Sequence, residues 1–251
     1  MKILVLRREV LSVVLCGVLA LGMIWLVDHP EAVGAAAMER QIPVYCVQKE
    51  EKVVALTFDA AWGNEDTEEL IEILGTYDVP ATFFLVGQWV EKFPESVKAL
   101  HDAGHSIQNH SSTHPYLTQC SADQIVQELE HCNDLVEDIT GIRPTLHRCP
   151  YGDYNDTVVN TIRSIGMEAI QWDVDSLDWK DLSASEITSR VLDGVGPGSI
   201  VLFHNAALHT PEALPGIIEA LQAEGYTFVT VQDLLLEGEC KIDNTGRQCP
   251  A

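Results

Sequence analysis

Basic residues are scarce in this chain: 15 Lys and Arg stand against 38 Asp and Glu, a formal charge of −23. That field repels a phosphate backbone and argues against nucleic acid as a partner. None of the seven cysteines shares CxxC spacing, which argues against a structural cysteine–zinc site. Internal repeats and low-complexity tracts are absent as well. Disorder is disfavoured by 46% apolar residues, and 251 residues suffice for one α/β domain with a short appendage.

Long uncharged apolar runs are also missing, with one exception. Val10 to Val27 carries no charge, is preceded by Lys2, Arg7 and Arg8, and is followed by Asp28. Eighteen residues rise about 27 Å as a helix, close to the hydrocarbon thickness of a bilayer. The basic flank predicts a cytoplasmic N-terminus, an anchor within residues 1–28 and an exported remainder. Ala35-Ala36-Ala37 offers a cleavage site for the alternative, a secreted form. Residues 29–50 read as a linker, 51–237 as the main domain and 238–251 as a tail. Six cysteines outside the apolar run allow fifteen pairings; Cys240 and Cys249, flanking the polar tail, are the first pair to consider.

From Glu51 onwards short apolar runs alternate with helical stretches. Strands are expected over 53–58, 81–86, 105–109, 145–148, 167–174, 198–203 and 227–229. Helices are expected over 66–77, 90–101, 156–165 and from Thr210-Pro211 onwards, with a last turn over 232–236. Two further helices open on the capping boxes Ser121–Gln124 and Ser183–Glu186. Unbroken apolar strands separated by helices imply a parallel sheet covered by helices, and about seven units suit a barrel. Asp59, His110, Arg148, Asp175 and His204 each follow a predicted strand, the edge where parallel α/β folds build their sites.

These residues are the equipment for metal-assisted hydrolysis. His110 and His114 are four apart, so a helical turn would aim both imidazoles at one metal; Pro115 ends that turn. Two hydrogen-bonded loop histidines are the plainer alternative. Asp59 ends an apolar strand, where burial raises and a cation lowers its pKa. Arg148 cannot deprotonate and suits an orienting clamp on Asp59. His204 suits a general acid, with a satisfied core histidine as its alternative. Asp175 and Asp178 could polarise His204 or bind hydroxyls, and Trp179, with Trp62 or Trp172, could offer a platform for a sugar face. Cys149 lacks a paired base, which argues against a cysteine hydrolase.

In Thr57-Phe58-Asp59, His110-Ser-Ser-Thr-His114, Arg148-Cys-Pro-Tyr-Gly152, Asp175-Ser-Leu-Asp178-Trp179 and Leu202-Phe203-His204, five motifs in order, the chain resembles the polysaccharide deacetylase family. That family comprises carbohydrate esterases removing N-acetyl or O-acetyl groups from glycans. The resemblance implies a distorted (β/α)7 barrel and a divalent metal, zinc or cobalt. It makes His110 and His114 ligands, Asp59 the base and His204 the acid. Arg148 would tether Asp59, Asp178 would tune His204, and the Tyr151 backbone would steady the oxyanion. A monomer acting on peptidoglycan is expected, and anchored members are associated with spore formation. One departure stands out: the family's second aspartate, a metal ligand, is Ala60 here. Asn64, Glu65, Asp66 or water could fill that place; otherwise the domain is a weak or silent glycan binder. An O-acetyl esterase is a third reading.

Overall fold

Eight consecutive residues without a helix former's periodicity, Val53–Ala60, make the longest strand of the sheet (β2). Its alternate side chains enter different clusters. Val54, Leu56, Phe58 and Ala60 pack outwards under the helices, while Ala55 faces an inner cluster with Phe84, Ile170 and Ile200. Burial on both faces is what makes the run apolar throughout, and each large aliphatic or aromatic side chain so buried contributes about 1.5–3 kcal/mol. Phe58 stacks between Phe83 and Phe203, at 4.8 and 5.4 Å.

The structure, a computed structural model, describes residues 40–251 together with Gly17, Val18 and Trp25. The expected anchor lies outside the described residues apart from those three; among the described residues no helix is long and apolar enough to cross a membrane. Residues Gln41–Ala251 form one compact unit.

The strands are β1 Cys46–Val47, β2, β3 Thr82–Leu85, β4 Ser106–Asn109, β5 Leu146–His147, β6 Glu168–Ala169, β7 Val174–Asp175, β8 Ser199–His204, β9 Thr227–Phe228, β10 Cys240–Ile242 and β11 Arg247–Pro250. Among them run helices α1 Thr67–Thr76, α2 Gly87–Lys92, α3 Pro94–Asp102, α4 Ala122–Thr140, α5 Asp156–Ser164, α6 Ala184–Gly194, α7 Thr210–Ala223 and α8 Val231–Leu234. The fold is α/β with a curled sheet in the order β10-β11-β1-β8-β2-β3-β4-β5-β6. Val44 connects its far strand to the segment leading into β1, donating to Ala169 O and accepting from Gln171 N. Both capping boxes form as read, at Ser121 and Ser183.

Several expectations need correction. The sheet is not parallel throughout: β1 runs antiparallel to β8, and β10 to β11. Within the stretch expected as linker, Val44 bridges to Ile170 and Cys46–Val47 form a strand, with Val44 and Val47 fully buried. The tail over 238–251 is a hairpin whose β11 pairs parallel with β1. Gly198 permits the β1–β8 approach at φ +83°, since a Cβ there would meet Val47 O at 1.8 Å. The helix expected over 90–101 is two, broken at Phe93 because Pro94 disfavours helical backbone in the residue before it. The strand expected over 167–174 is split into β6 and β7; between them Asp173 accepts from Ser199 Oγ and Ile200 N. Cys240 and Cys249 are both free: register sets Cys249 opposite Lys241 and Cys240 opposite Pro250, on alternate faces of the hairpin.

Candidate active site

The C-terminal ends of β2, β4, β5, β7 and β8 open onto one cavity of about 590 Å³. Asp59, His110, His114, Tyr151, Asp175, Trp179 and His204 line it, with Trp62 and Trp172. Arg148 and Asp178 lie behind this lining, 0% and 1% exposed. All nine residues singled out in the sequence therefore meet at one rim.

Arg148 is held through both of its terminal nitrogens, while its Nε is buried without a partner. Its Nη1 donates to Asp59 Oδ1 and to Thr57 Oγ1, both at 2.8 Å, and its Nη2 donates to Gln171 O. The guanidinium lies 4.2 Å from the Phe84 ring centroid and 5.6 Å from that of Trp172. Burial pushes the Asp59 pKa up, but the charge and hydrogen bond of Arg148, joined by the charge of His204, overcome it, so Asp59 titrates below the usual carboxylate range. Its second oxygen, Oδ2, stands 3.6 Å from His110 Nε2.

On the opposite wall Asp178 is saturated with donors. His204 Nδ1 and Trp179 N donate to Oδ1, and His204 N and Thr210 Oγ1 donate to Oδ2. Burial lowers the His204 pKa, yet the hydrogen bond and charge of Asp178 more than offset it, and the imidazole holds its proton above the ordinary range. With Nδ1 engaged, Nε2 is the atom left to exchange a proton.

The histidine pair is close, with ring centroids 5.0 Å apart, but no helical turn brings it together. Ser111 and His114 both take left-handed backbone, φ +66° and +60°. The carbonyls of Ser111 and Ser112 accept from Gly87 and Gln88 N, while Ser111 N donates to Asn109 Oδ1 and His114 N to Ser111 Oγ. Those bonds replace helical ones and fold His114 back over His110. Burial pushes both imidazoles down, His114 to about 4, so both are neutral with lone pairs free.

His110 Nδ1 donates to Arg148 O at 2.7 Å, which leaves Nε2 as an acceptor facing the acceptor Asp59 Oδ2. His114 Nδ1 is buried without a partner. Two facing lone pairs and an orphaned imidazole nitrogen suit a cation, so the pair fits a divalent metal as two ligands. No third protein donor joins them: among the described residues no group of three His, Cys, Asp or Glu side chains could hold a metal. Ala60 is packed in the outer apolar cluster. Asn64 donates to Ser96 Oγ, Glu65 accepts from Asn64 N and Asp66 from Ala206 N, and none of the three lines the cavity. Cys149 is buried and does not line the cavity, and burial raises its thiol pKa, all of which argue against a cysteine nucleophile.

Thr57, which stands in the first motif, supports Arg148. Gln171, Thr210 and Asn205 are supporting residues that the sequence reading missed. Asn205 accepts from Ala61 N and donates to Trp62 O and Gly63 O, holding the loop after β2. No sequence signal marks them, because each acts through a contact more than 20 residues distant.

Residues 47–170 match a family model described as polysaccharide deacetylase. The peptidoglycan-N-acetylmuramic acid deacetylases PdaC and PdaA of Bacillus subtilis are 36% and 34% identical over 188 and 209 residues. These matches cover 75% and 82% of this chain, which spans 40% of the length of PdaC and 80% of that of PdaA. Among solved structures, BA3943 of Bacillus anthracis, a CE4 family pseudoenzyme, is 36% identical with a TM-score of 0.75, over 77% of this chain and 69% of that one. A mutant of BA3943 with restored enzymatic activity is 37% identical with a TM-score of 0.74, over 77% of this chain and 71% of that one.

Proposed function

This chain belongs to the polysaccharide deacetylase family, and from that premise we propose that it hydrolyses N-acetyl groups of a cell-wall glycan, peptidoglycan being the substrate. The carrying observation is a carboxylate kept ionised and an imidazole kept protonated across one cavity, which divides base from acid.

Asp59 Oδ2 takes a proton from the water that attacks the acetyl carbon, while Arg148 holds Oδ1 and keeps the carboxylate aimed. The Tyr151 amide donates to the developing oxyanion. His204 Nε2 then gives its proton to the sugar nitrogen as the C–N bond breaks, leaving acetate and a free amine. Asp178 steadies the imidazolium before that transfer. Trp179 offers a face to the sugar and Asp175 an acceptor to its hydroxyls. A divalent cation, zinc or cobalt, would be held by His110 and His114 and would polarise the acetyl carbonyl and acidify a water. The N-terminal apolar run supports an extracytoplasmic domain tethered to the membrane, and the intact rim suits a monomer working on spore or vegetative wall.

Acetate release from N-acetylglucosamine oligomers and peptidoglycan, with and without chelator, tests the reading. Turnover lost on chelation is expected. No acetate from any N-acetylated glycan, or acetate from O-acetylated sugars only, would overturn it.

Ala60 and the likeness to a pseudoenzyme favour one second reading, a glycan-binding domain with little or no turnover. A zinc titration of Ala60→Asp separates the two. Tighter binding with a gain in acetate release marks the native site as deficient; unchanged affinity shows that the two imidazoles and solvent already suffice.

A further inference from the structure

A carboxylate outside the cavity holds the loop between the two histidines. Glu128, half-buried on α4, accepts at one oxygen from two consecutive amides, Ser112 N at 3.0 Å and Thr113 N at 2.8 Å. Its other oxygen accepts from Thr113 Oγ1 at 2.8 Å, and its backbone carbonyl accepts from Ser112 Oγ at 2.8 Å. Consecutive amides converging on one atom form a concave seat for an anion, and here a side chain fills it. From the other direction Gly87 and Gln88 N donate to the carbonyls of Ser111 and Ser112. That approach is close, since a Cβ on Gly87 would stand 3.0 Å from Ser112 Cα. The loop is therefore gripped by α2 through its carbonyls and by α4 through its amides.

This grip bears on where the imidazoles lie. Ser111 and His114, which flank the held pair, take left-handed backbone that non-glycine residues keep only where their surroundings impose it. His110 has a second hold, its Nδ1 on Arg148 O. No hydrogen bond reaches His114 Nδ1, so that ring is aimed by its backbone and by edge contacts with Trp62 and Tyr151. A site with two protein donors depends all the more on having both in place before a cation arrives.

We propose that Glu128 is a positioning residue for the His110–His114 pair, presetting both imidazoles for a divalent cation through the reach of its carboxyl group. The proposal rests on the reading of that pair as metal ligands. Three substitutions separate reach from charge. Glu128→Gln keeps the length: its Oε1 can accept from both amides while its Nε2 donates to Thr113 Oγ1. Glu128→Asp keeps the charge but is one methylene short, and Glu128→Ala keeps neither. Calorimetric titration of the metal-free full chain with zinc reads the effect, the binding step that His114→Ala abolishes being the one compared. Circular dichroism and the thermal midpoint report whether each variant is folded. Glu128→Asp and Glu128→Ala should bind zinc about tenfold or more weakly than the wild type, and Glu128→Gln close to it. Should Glu128→Ala not fold, the contrast between Glu128→Asp and Glu128→Gln decides. Wild-type affinity in Glu128→Asp, or a loss in Glu128→Gln as large as in Glu128→Asp, overturns the proposal and leaves the ligand reading standing. A wild type with no zinc step sensitive to His114→Ala removes both.

Discussion

Two walls of one cavity use the same ingredients, a carboxylate against a cation, to opposite ends. At Asp59 the partner is Arg148, which stays charged throughout, and the pairing keeps the acid ionised. At Asp178 the partner is His204, which can release its proton, and the pairing keeps the imidazole charged. Swapping one nitrogen base for the other turns a proton acceptor into a proton donor.

The largest expected effect comes from removing the acceptor. Asp59→Asn keeps the Arg148 hydrogen bond but not the charge, so turnover should fall by about 10³-fold or more. The thermal midpoint should drop as well, since Arg148 is left buried without its counter-charge. Near-normal acetate release would end the contrast between the walls. Next, Asp178→Asn should cost about 10²-fold and shift the alkaline limb of the pH–rate profile to lower pH, because His204 loses the interaction that raises its pKa. In the native protein both groups are correctly charged from below the usual carboxylate range to above that of histidine, so the acid limb should lie below the one and the alkaline limb above the other. An unmoved limb in Asp178→Asn would assign it to another group.

A stability measurement sharpens the comparison from outside. His105 and His147 are buried with pKa values pushed down to about 4 and about 3, so they stay neutral when the unfolded chain takes protons. Below about 6.5 stability should therefore fall with pH, by about 1.4 kcal/mol per unit for each group, until those folded values are reached. Urea unfolding at pH 7 and pH 5 reads this directly, and equal midpoints would contradict it. Smallest of all, Thr57→Val removes one hydroxyl between Arg148 and Val201 O. About 1 kcal/mol of stability and a modest fall in turnover are expected.

Much of this was legible in the sequence where local chemistry decides. Ser121 and Ser183 announce their helices through bonds made within four residues, and Asp59, His110 and His204 declare themselves by sitting at the ends of apolar runs. What escaped depends on partners distant in sequence. β1 is two residues long and β11 largely polar, so neither carries a period; only their mutual pairing makes them strands. The four-residue spacing of His110 and His114 was read through helical geometry, yet the Asn109 side chain and the carbonyl acceptors for Gly87 and Gln88 impose another backbone. Ala60 was noticed as a gap, but that its neighbours Asn64, Glu65 and Asp66 are engaged elsewhere could be seen only once the loop after β2 was folded.

The hairpin that closes the chain has a practical consequence. Ala251 N still donates to Glu239 O, and the residues just before it shield the flank of β1. Trimming those last residues would uncover raw backbone donors and acceptors, an invitation to edge-to-edge self-association. Recombinant material should therefore keep β11 intact, and aggregation on its removal is the expected sign of the exposed β1 edge.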